Sequence, residues 1–170
     1  MMPQTPNLRL GAVRPDLFAP FGAVVEMGRP AVAVNGGTAL RHDVDRFTAS
    51  AARTGFSLVT SIYEATAQDL PRPVGLLERH RNSPQLIMPV SGDGHAVIAC
   101  LSGPDGAPDL STLAAFRFTA RQGMVYRPGL WHHPILALGQ PAHFLVQSWQ
   151  DGTEADCEIV PIAPTTVVGD

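Results

Sequence analysis

Glycine and proline interrupt this chain so often that little room is left for long helices. The sequence contains 16 Gly and 16 Pro, and both residue types end regular elements and favour turns. Between these interruptions lie short segments that alternate apolar and hydroxyl side chains, as in the run from Phe56 to Tyr63. This alternation is typical of half-buried strands. The pattern predicts an all-β chain with minor helix, folded as a sandwich, jelly roll or closed antiparallel barrel.

Local signals extend this prediction along the chain. The length of 170 residues suits one domain, and we expect residues 1–170 to form it. Two apolar runs, Gln85–Val90 and His95–Leu101, flank the turn sequence Ser91-Gly-Asp-Gly94, which predicts a hairpin in which the two runs pair. The segment 109–116 begins with Asp and contains Ser, so it is expected to form one capped helical turn.

The charged residues restrict the kinds of molecule that the protein is expected to bind. The formal net charge is −3, from 12 basic and 15 acidic residues, which gives no electrostatic footprint for nucleic acid or an anionic membrane. A small molecule is therefore the expected partner. All the basic residues are Arg. Schiff-base chemistry through a lysine amine is thereby excluded, and each guanidinium can bind a carboxylate with two parallel hydrogen bonds.

The cysteines and the lengths of the apolar runs indicate the cellular compartment of the protein. Cys100 and Cys157 lie far apart and outside any CxxC motif, so both are expected to be free thiols. The segment 1–10 lacks the apolar core of a signal peptide, and no apolar run reaches the roughly 18 residues of a membrane helix. The sequence therefore predicts a cytoplasmic protein.

Two motifs point to a functional site. Glu78, His80, Gln85 and Gly92 follow the spacing E-x-H-x4-Q-x6-G, which resembles the first cupin motif. Strand geometry puts Glu78 and His80 on one face and Arg79 on the other. The turn at 81–84 is expected to bring Gln85 back beside them.

The second motif supplies another imidazole. The segment from Gly123 through Pro128 to His132 resembles the second cupin motif, and it is expected to aim His132 into the same barrel mouth. Glu78, His80, Gln85 and His132 then form one cluster, able to hold a divalent metal or to transfer protons. Glu and Gln stand where cupins usually carry His and an acid, which makes a weaker metal site. Alternation predicts that His133 faces away from this cluster.

Several longer strings narrow the resemblance to one family. Ser61–Ala65, Leu77–His80, Pro108–Leu113 and Trp131–Pro134 resemble the ureidoglycolate lyase family, also called ureidoglycolate hydrolase. The likeness spans about residues 35–157. It implies a cupin-like antiparallel β-barrel that cleaves ureidoglycolate to glyoxylate and urea in allantoin (purine) catabolism, a carbon–nitrogen lyase of the amidine-lyase class. It also implies a homodimer.

The resemblance and the substrate chemistry together suggest roles for the residues. Glu78 or His80 is expected to remove the proton of the carbinol hydroxyl, and His132 is expected to protonate or hydrogen-bond the leaving nitrogen. Gln85 and Tyr126 are candidates for binding the ureido group. Arg41 and Arg127 are candidates for binding the carboxylate, and the sequence does not choose between them.

Three questions stay open at this point. Glu78, His80, Gln85 and His132 are the possible ligands of a divalent metal, and nickel, zinc and manganese are not distinguished. A different enzyme class, a metal-dependent cupin oxygenase or isomerase acting on another small carboxylic acid, has the same barrel. A non-catalytic cupin that binds a small acid is the third interpretation.

Overall fold

The computed structural model describes residues 7–28, 30–45 and 55–169. Within these residues strands dominate and helices are short, so the all-β prediction with minor helix is confirmed. The strands are β1 (Leu8–Arg9), β2 (Gly11–Ala12), β3 (Gly22–Val25), β4 (Ala31–Val34), β5 (Ala39–His42), β6 (Ser57–Ala65), β7 (Arg72–Arg79), β8 (Gln85–Ser91), β9 (Gly94–Cys100), β10 (Ala114–Thr119), β11 (Gly123–Tyr126), β12 (Trp131–His132), β13 (Leu136–Leu138), β14 (Ala142–Gln150) and β15 (Glu158–Val168). The helices are α1 (Pro15–Phe18) and 3₁₀ turns at Asn35–Gly37, Leu110–Thr112 and Glu154–Asp156.

Two sheets form the body of the structure. The larger has the order β1-β15-β7-β12-β9-β10-β2, and β13 also pairs with β9. The smaller has the order β3-β11-β8-β14-β6. Strands β4 and β5 make a separate antiparallel hairpin. Most pairings within the two main sheets are antiparallel, and the exceptions are β1 with β15 and β2 with β10.

The main core lies between the two sheets. Val97 and Phe116 of the larger sheet pack in one cluster with Ile87 and Phe144 of the smaller sheet. Phe18 of α1 is fully buried in the same cluster, and its ring centroid lies 5.3 Å from that of Phe116. Burial of each such side chain stabilises the fold by roughly 1.5–3 kcal/mol. The short helix therefore contributes a fully buried apolar side chain to the core of the barrel.

The predicted pairing across residues 91–94 is wrong. β8 belongs to the smaller sheet and β9 to the larger, so the two strands that flank Ser91–Gly94 do not pair with each other. Gly92 has φ +115°, and a Cβ built at this residue would lie 2.6 Å from that of Ala142. The turn thus carries the chain closely past β14 from one sheet to the other. Turn residues identify a change of direction, but long-range packing decides whether the next strand stays in the same sheet.

Other local predictions are confirmed. The predicted capped turn is the 3₁₀ helix Leu110–Thr112, where the side chain of Asp109 accepts a hydrogen bond of 3.1 Å from the backbone N–H of Ser111. Cys100 and Cys157 are free, the first buried and the second half-buried. In the part of the chain that the structure describes, no helix combines the length and apolar character needed to cross a bilayer.

Candidate active site

A cavity of about 660 Å³ opens in the barrel. Its wall contains Glu78, His80, Gln85 and His132, so the structure brings together the four residues that the two motifs placed in one pocket. Glu78 lies in β7, and His80 follows the end of that strand. Gln85 begins β8 and His132 ends β12. The site is therefore built from the ends of strands that belong to both sheets.

Strand register brings the carboxylate and one imidazole together. His132 is the direct partner of Glu78 between β12 and β7, and the Nε2 atom of His132 lies 3.5 Å from Oε1 of Glu78. The His80 ring centroid lies 5.6 Å from that of His132. One ligand atom from each of the three residues lies within 4.8 Å of the other two. Such a spacing suits either a metal ion or proton transfer between the groups.

Backbone carbonyls fix how the imidazoles present their nitrogens. Nδ1 of His132 lies 3.0 Å from the carbonyl oxygen of Leu130, and Nδ1 of His80 lies 2.7 Å from that of Asp156. A carbonyl oxygen only accepts, so in each ring Nδ1 carries the hydrogen. In the neutral rings Nε2 then keeps its lone pair. Both Nε2 atoms are therefore basic.

Gln85 forms a hydrogen bond with one imidazole of the cluster, that of His80. Because Nε2 of His80 is an acceptor in the neutral ring, the Gln85 amide donates to it, over 2.9 Å. This assignment leaves the Gln85 Oε1 atom buried with no hydrogen-bond partner among the described residues. A buried, unpaired amide oxygen is costly. It fits a site in which a substrate N–H or a cation completes the bonding.

Electrostatics set the protonation states. Burial alone would raise the pKa of Glu78, but the neighbouring His132, His80 and Cys157 outweigh burial and hold that pKa below its ordinary value. Burial lowers the pKa of His80. At neutral pH the site therefore holds an ionised carboxylate beside a neutral His80. The Cys157 thiol, 3.6 Å from Oε2 of Glu78, has its pKa raised to about 11 by burial and by that carboxylate, so it stays protonated and can donate.

Tyr126 lies behind the site. It ends β11 opposite Gln85, and its ring centroid is 4.3 Å from that of His132. The residue is almost fully buried, burial raises the pKa of its phenol, and it is not among the residues of the cavity wall. Its packing orients His132, in place of the ureido contact expected from the sequence.

Neither candidate for the carboxylate-binding arginine lines the cavity. Arg41 lies on the β4–β5 hairpin and forms an exposed ion pair of 3.1 Å with Asp43. The guanidinium of Arg127 bonds the carbonyl oxygen of Ala19 at 3.0 Å. The sequence made both residues candidates, but β5 lies in a separate hairpin and the side chain of Arg127 is directed to the turn after α1. Arg79 faces away from the cavity, as alternation predicted, and stacks on Trp131 at 4.1 Å.

His133 and Arg72 are among the wall residues that were not expected from the sequence. His133 lines the cavity, although alternation predicted the opposite, because β12 ends at His132 and the two-residue periodicity of a strand need not continue past it. Its Nδ1 contacts the carbonyl oxygen of Pro134 at 2.8 Å. Arg72, at the start of β7, also lines the cavity. It lies outside both motifs, and no local signal in the sequence identifies it.

The two facing sheets and the placement of both motifs at one cavity define a cupin-type β-barrel with a candidate active site in its mouth. A sequence model of the family "Ureidoglycolate lyase" matches residues 5–169. The chain therefore belongs to the ureidoglycolate lyase family.

Individual relatives agree with this assignment. The ureidoglycolate lyase of Burkholderia cepacia is 31% identical over 163 residues, which cover 95% of this chain and 89% of the relative. That of Pseudomonas fluorescens is 33% identical over 154 residues and covers 89% of both chains. Among solved structures, a mutant of the 3,4-ketoisomerase QdtA from Thermoanaerobacterium thermosaccharolyticum matches with a TM-score of 0.44 at 15% identity, over 79% of this chain and 86% of that one.

Proposed function

We propose that this protein cleaves ureidoglycolate to glyoxylate and urea, as a carbon–nitrogen lyase of allantoin catabolism. Membership of the ureidoglycolate lyase family supports the reaction. The observation that carries the chemistry is the contact of 3.5 Å between the Glu78 carboxylate and Nε2 of His132 inside the cavity. These two groups can move one proton between two substrate atoms, which is what the reaction needs.

The substrate is a carbinolamide, whose central carbon carries a hydroxyl, a carboxylate and a urea nitrogen. Cleavage moves the hydroxyl proton from oxygen to the urea nitrogen, while the carbon–nitrogen bond breaks and a carbonyl forms. Glu78 is the base in this proposal, since its pKa below the ordinary value keeps it ionised and part of its side chain is exposed. His80 is less suited, because its Nε2 already accepts a hydrogen bond from Gln85.

His132 completes the proton path. Its Nε2 lies next to the Glu78 carboxylate and has no hydrogen-bond partner among the described residues. A proton taken up by Glu78 can therefore pass to this nitrogen and then to the leaving urea nitrogen. The ring is held for this role by Leu130 at Nδ1 and by the Tyr126 ring. The unpaired Oε1 of Gln85 is suited to accept a ureido N–H.

The same side chains fit a divalent cation. Glu78, His80 and His132 present ligand atoms within 4.8 Å of one another. Both imidazoles donate Nδ1–H to a backbone carbonyl, the arrangement that orients histidines as metal ligands. Gln85 would have to turn its amide so that Oε1 joins these ligands. A bound divalent cation would supply a lower pKa for a coordinated hydroxyl.

A second copy of the chain is proposed to cover the outer face of the smaller sheet. Leu58, Ile62 and Trp149 are exposed there, at 49%, 58% and 40%, and strand pairing places all three on the side that faces away from the core. Leu86, Met88 and Leu145 share this side. Glu64 and His143 lie at one end of this side, with Oε1 of Glu64 3.6 Å from Nε2 of His143, and large apolar surface patches commonly mark interfaces. We call it the outer apolar face.

A product assay tests the proposed reaction. Purified protein is incubated with racemic ureidoglycolate while urea, glyoxylate and ammonia are followed separately, and spontaneous decay is subtracted. Urea and glyoxylate should appear in equal amounts, at up to half of the racemate if one enantiomer is used. Ammonia formed in equal amount to glyoxylate would identify amidohydrolase chemistry and overturn the lyase proposal.

A further inference from the structure

The polar groups of the cavity wall are dominated by acceptors. Glu78 is an ionised carboxylate, and His133 donates Nδ1–H to the carbonyl oxygen of Pro134, so its ring in the neutral form offers a lone pair at Nε2. The Oε1 atom of Gln85 is a further unpaired acceptor. This part of the wall suits the hydroxyl and the N–H groups of a ureido substrate, but it repels a carboxylate.

The carboxylate of the substrate therefore needs a donor elsewhere in the wall. Among the residues that the structure describes, Arg72 is the one Arg that lines the cavity, and the chain has no Lys. Its guanidinium has no hydrogen bond or ion pair to any described residue, unlike Arg79, which is bonded to Glu158 at 2.9 Å and to Gly106 at 2.7 Å. The other donors of the wall are neutral, and the amide of Gln68 is already bonded to Thr66.

Arg72 gives one part of the cavity wall a positive charge, whereas Glu78 gives another part a negative charge. Arg72 and Glu78 both line the cavity from β7, Arg72 at the start of the strand and Glu78 near its end. A substrate that places its carboxylate towards Arg72 presents its hydroxyl and ureido groups to the acceptors. The opposite orientation would bring two carboxylates together and leave the guanidinium unpaired.

We propose that Arg72 binds the carboxylate of the substrate and thereby selects α-hydroxy-ureido acids over uncharged ureido compounds. This assignment rests on the proposed lyase function. An arginine–carboxylate contact is made about equally in the ground state and the transition state, so its loss should act on KM more than on kcat. The contact is charge-assisted and can be bidentate, a geometry that a lysine does not reproduce.

The test compares two substrates in three variants. Arg72→Gln, Arg72→Lys and the control Arg121→Gln are assayed for urea release from ureidoglycolate and from its methyl ester, which keeps the hydroxyl and the ureido group but lacks the charge. Arg121 is exposed on the turn after β10, and its guanidinium is bonded to no described residue. Near-ultraviolet circular dichroism checks that each variant is folded.

We expect Arg72→Gln to raise KM for the acid by about 10- to 100-fold, the loss typical of a hydrogen bond to a charged group, with kcat within a few-fold of wild type. Its KM for the ester should be unchanged. The KM of Arg72→Lys for the acid should lie between those of wild type and Arg72→Gln, and the KM of Arg121→Gln should match wild type. A KM for the acid within twofold of wild type in Arg72→Gln, or equal losses on both substrates, overturns the role of Arg72. If the wild-type protein releases no urea from the acid, the lyase proposal itself fails and the assignment of Arg72 fails with it. If Arg72→Gln does not fold, the KM of Arg72→Lys for the acid takes its place: an increase supports the role of Arg72, and a value within twofold of wild type overturns it.

Discussion

Oε1 of Glu78 and Nε2 of His132 lie 3.5 Å apart on two residues that are direct partners between β7 and β12. Backbone pairing therefore fixes the separation of the two groups that the proposed reaction uses for proton transfer. The Leu130 carbonyl holds Nδ1 of His132, so its Nε2 is directed at Glu78. The distance between these two groups therefore depends on the pairing of β7 with β12. A substitution elsewhere in the cavity should not change it.

The first prediction concerns these two residues. Glu78→Gln and His132→Asn should each lower kcat by about 10²- to 10⁴-fold, as loss of a general acid or base does, while KM changes little. Steady-state urea release measures both constants. Glu154→Gln and His143→Asn are the matched controls, since both residues lie outside the cavity wall. A kcat near wild type in either cavity variant would remove that residue from the proton path.

The second prediction separates proton transfer by the side chains from metal chemistry. If Glu78, His80 and His132 hold a divalent cation, the purified protein should contain close to one equivalent by elemental analysis, and His132→Asn should lower that content. Dialysis against a chelator should then reduce kcat, and a divalent ion should restore it. Full activity after verified removal of all metal would show that the protein uses the three side chains without a cation.

The third prediction concerns His95, which lies in the core away from the cavity. Its ring stacks on Phe118 at 5.2 Å, neither ring nitrogen has a partner among the described residues, and burial lowers its pKa to about 4. Below pH 6.5 the unfolded chain takes up a proton at this residue, whereas the folded protein does not. The free energy of unfolding should therefore fall with decreasing pH, by about 1.4 kcal/mol per pH unit between pH 6.5 and 4.

His95→Phe removes this titrating group and keeps a ring between the neighbouring phenylalanines. The difference in the free energy of unfolding between variant and wild type should grow towards pH 4, by up to about 3 kcal/mol. Urea denaturation at several pH values measures it. Parallel curves for His95→Phe and wild type would contradict the prediction.

The fourth prediction concerns the outer apolar face. Ile62→Glu places a charge within this face, on the edge strand β6, and should convert a dimer to a monomer, because burying an unpaired carboxylate is costly. Ile159→Glu is the matched control, since Ile159 is exposed at 60%, close to the 58% of Ile62, but lies on β15 of the other sheet. Sedimentation or light scattering gives the mass. A monomeric wild-type protein, or a dimeric Ile62→Glu, contradicts the proposed dimer surface.

Much of the fold and part of the site could be predicted from local sequence. Alternation and Gly/Pro spacing report strand faces and turns because both act over a few residues, and the short strands of the structure follow them. The same period-two geometry placed Glu78 and His80 on one side of β7 and Arg79 on the other. The turn at 81–84 returned Gln85 to His80, with the two side chains bonded at 2.9 Å.

Local alternation therefore establishes which residues share a strand face and which side chains of the two motifs lie together. It does not establish that β8 and β9 lie in different sheets, that His133 lines the cavity, or that Arg72 rather than Arg41 or Arg127 reaches the cavity wall. These outcomes depend on contacts between segments far apart in the chain, such as β12 with β7. Local preferences do not encode such contacts, because packing of the whole barrel selects among many pairings that satisfy each strand equally well.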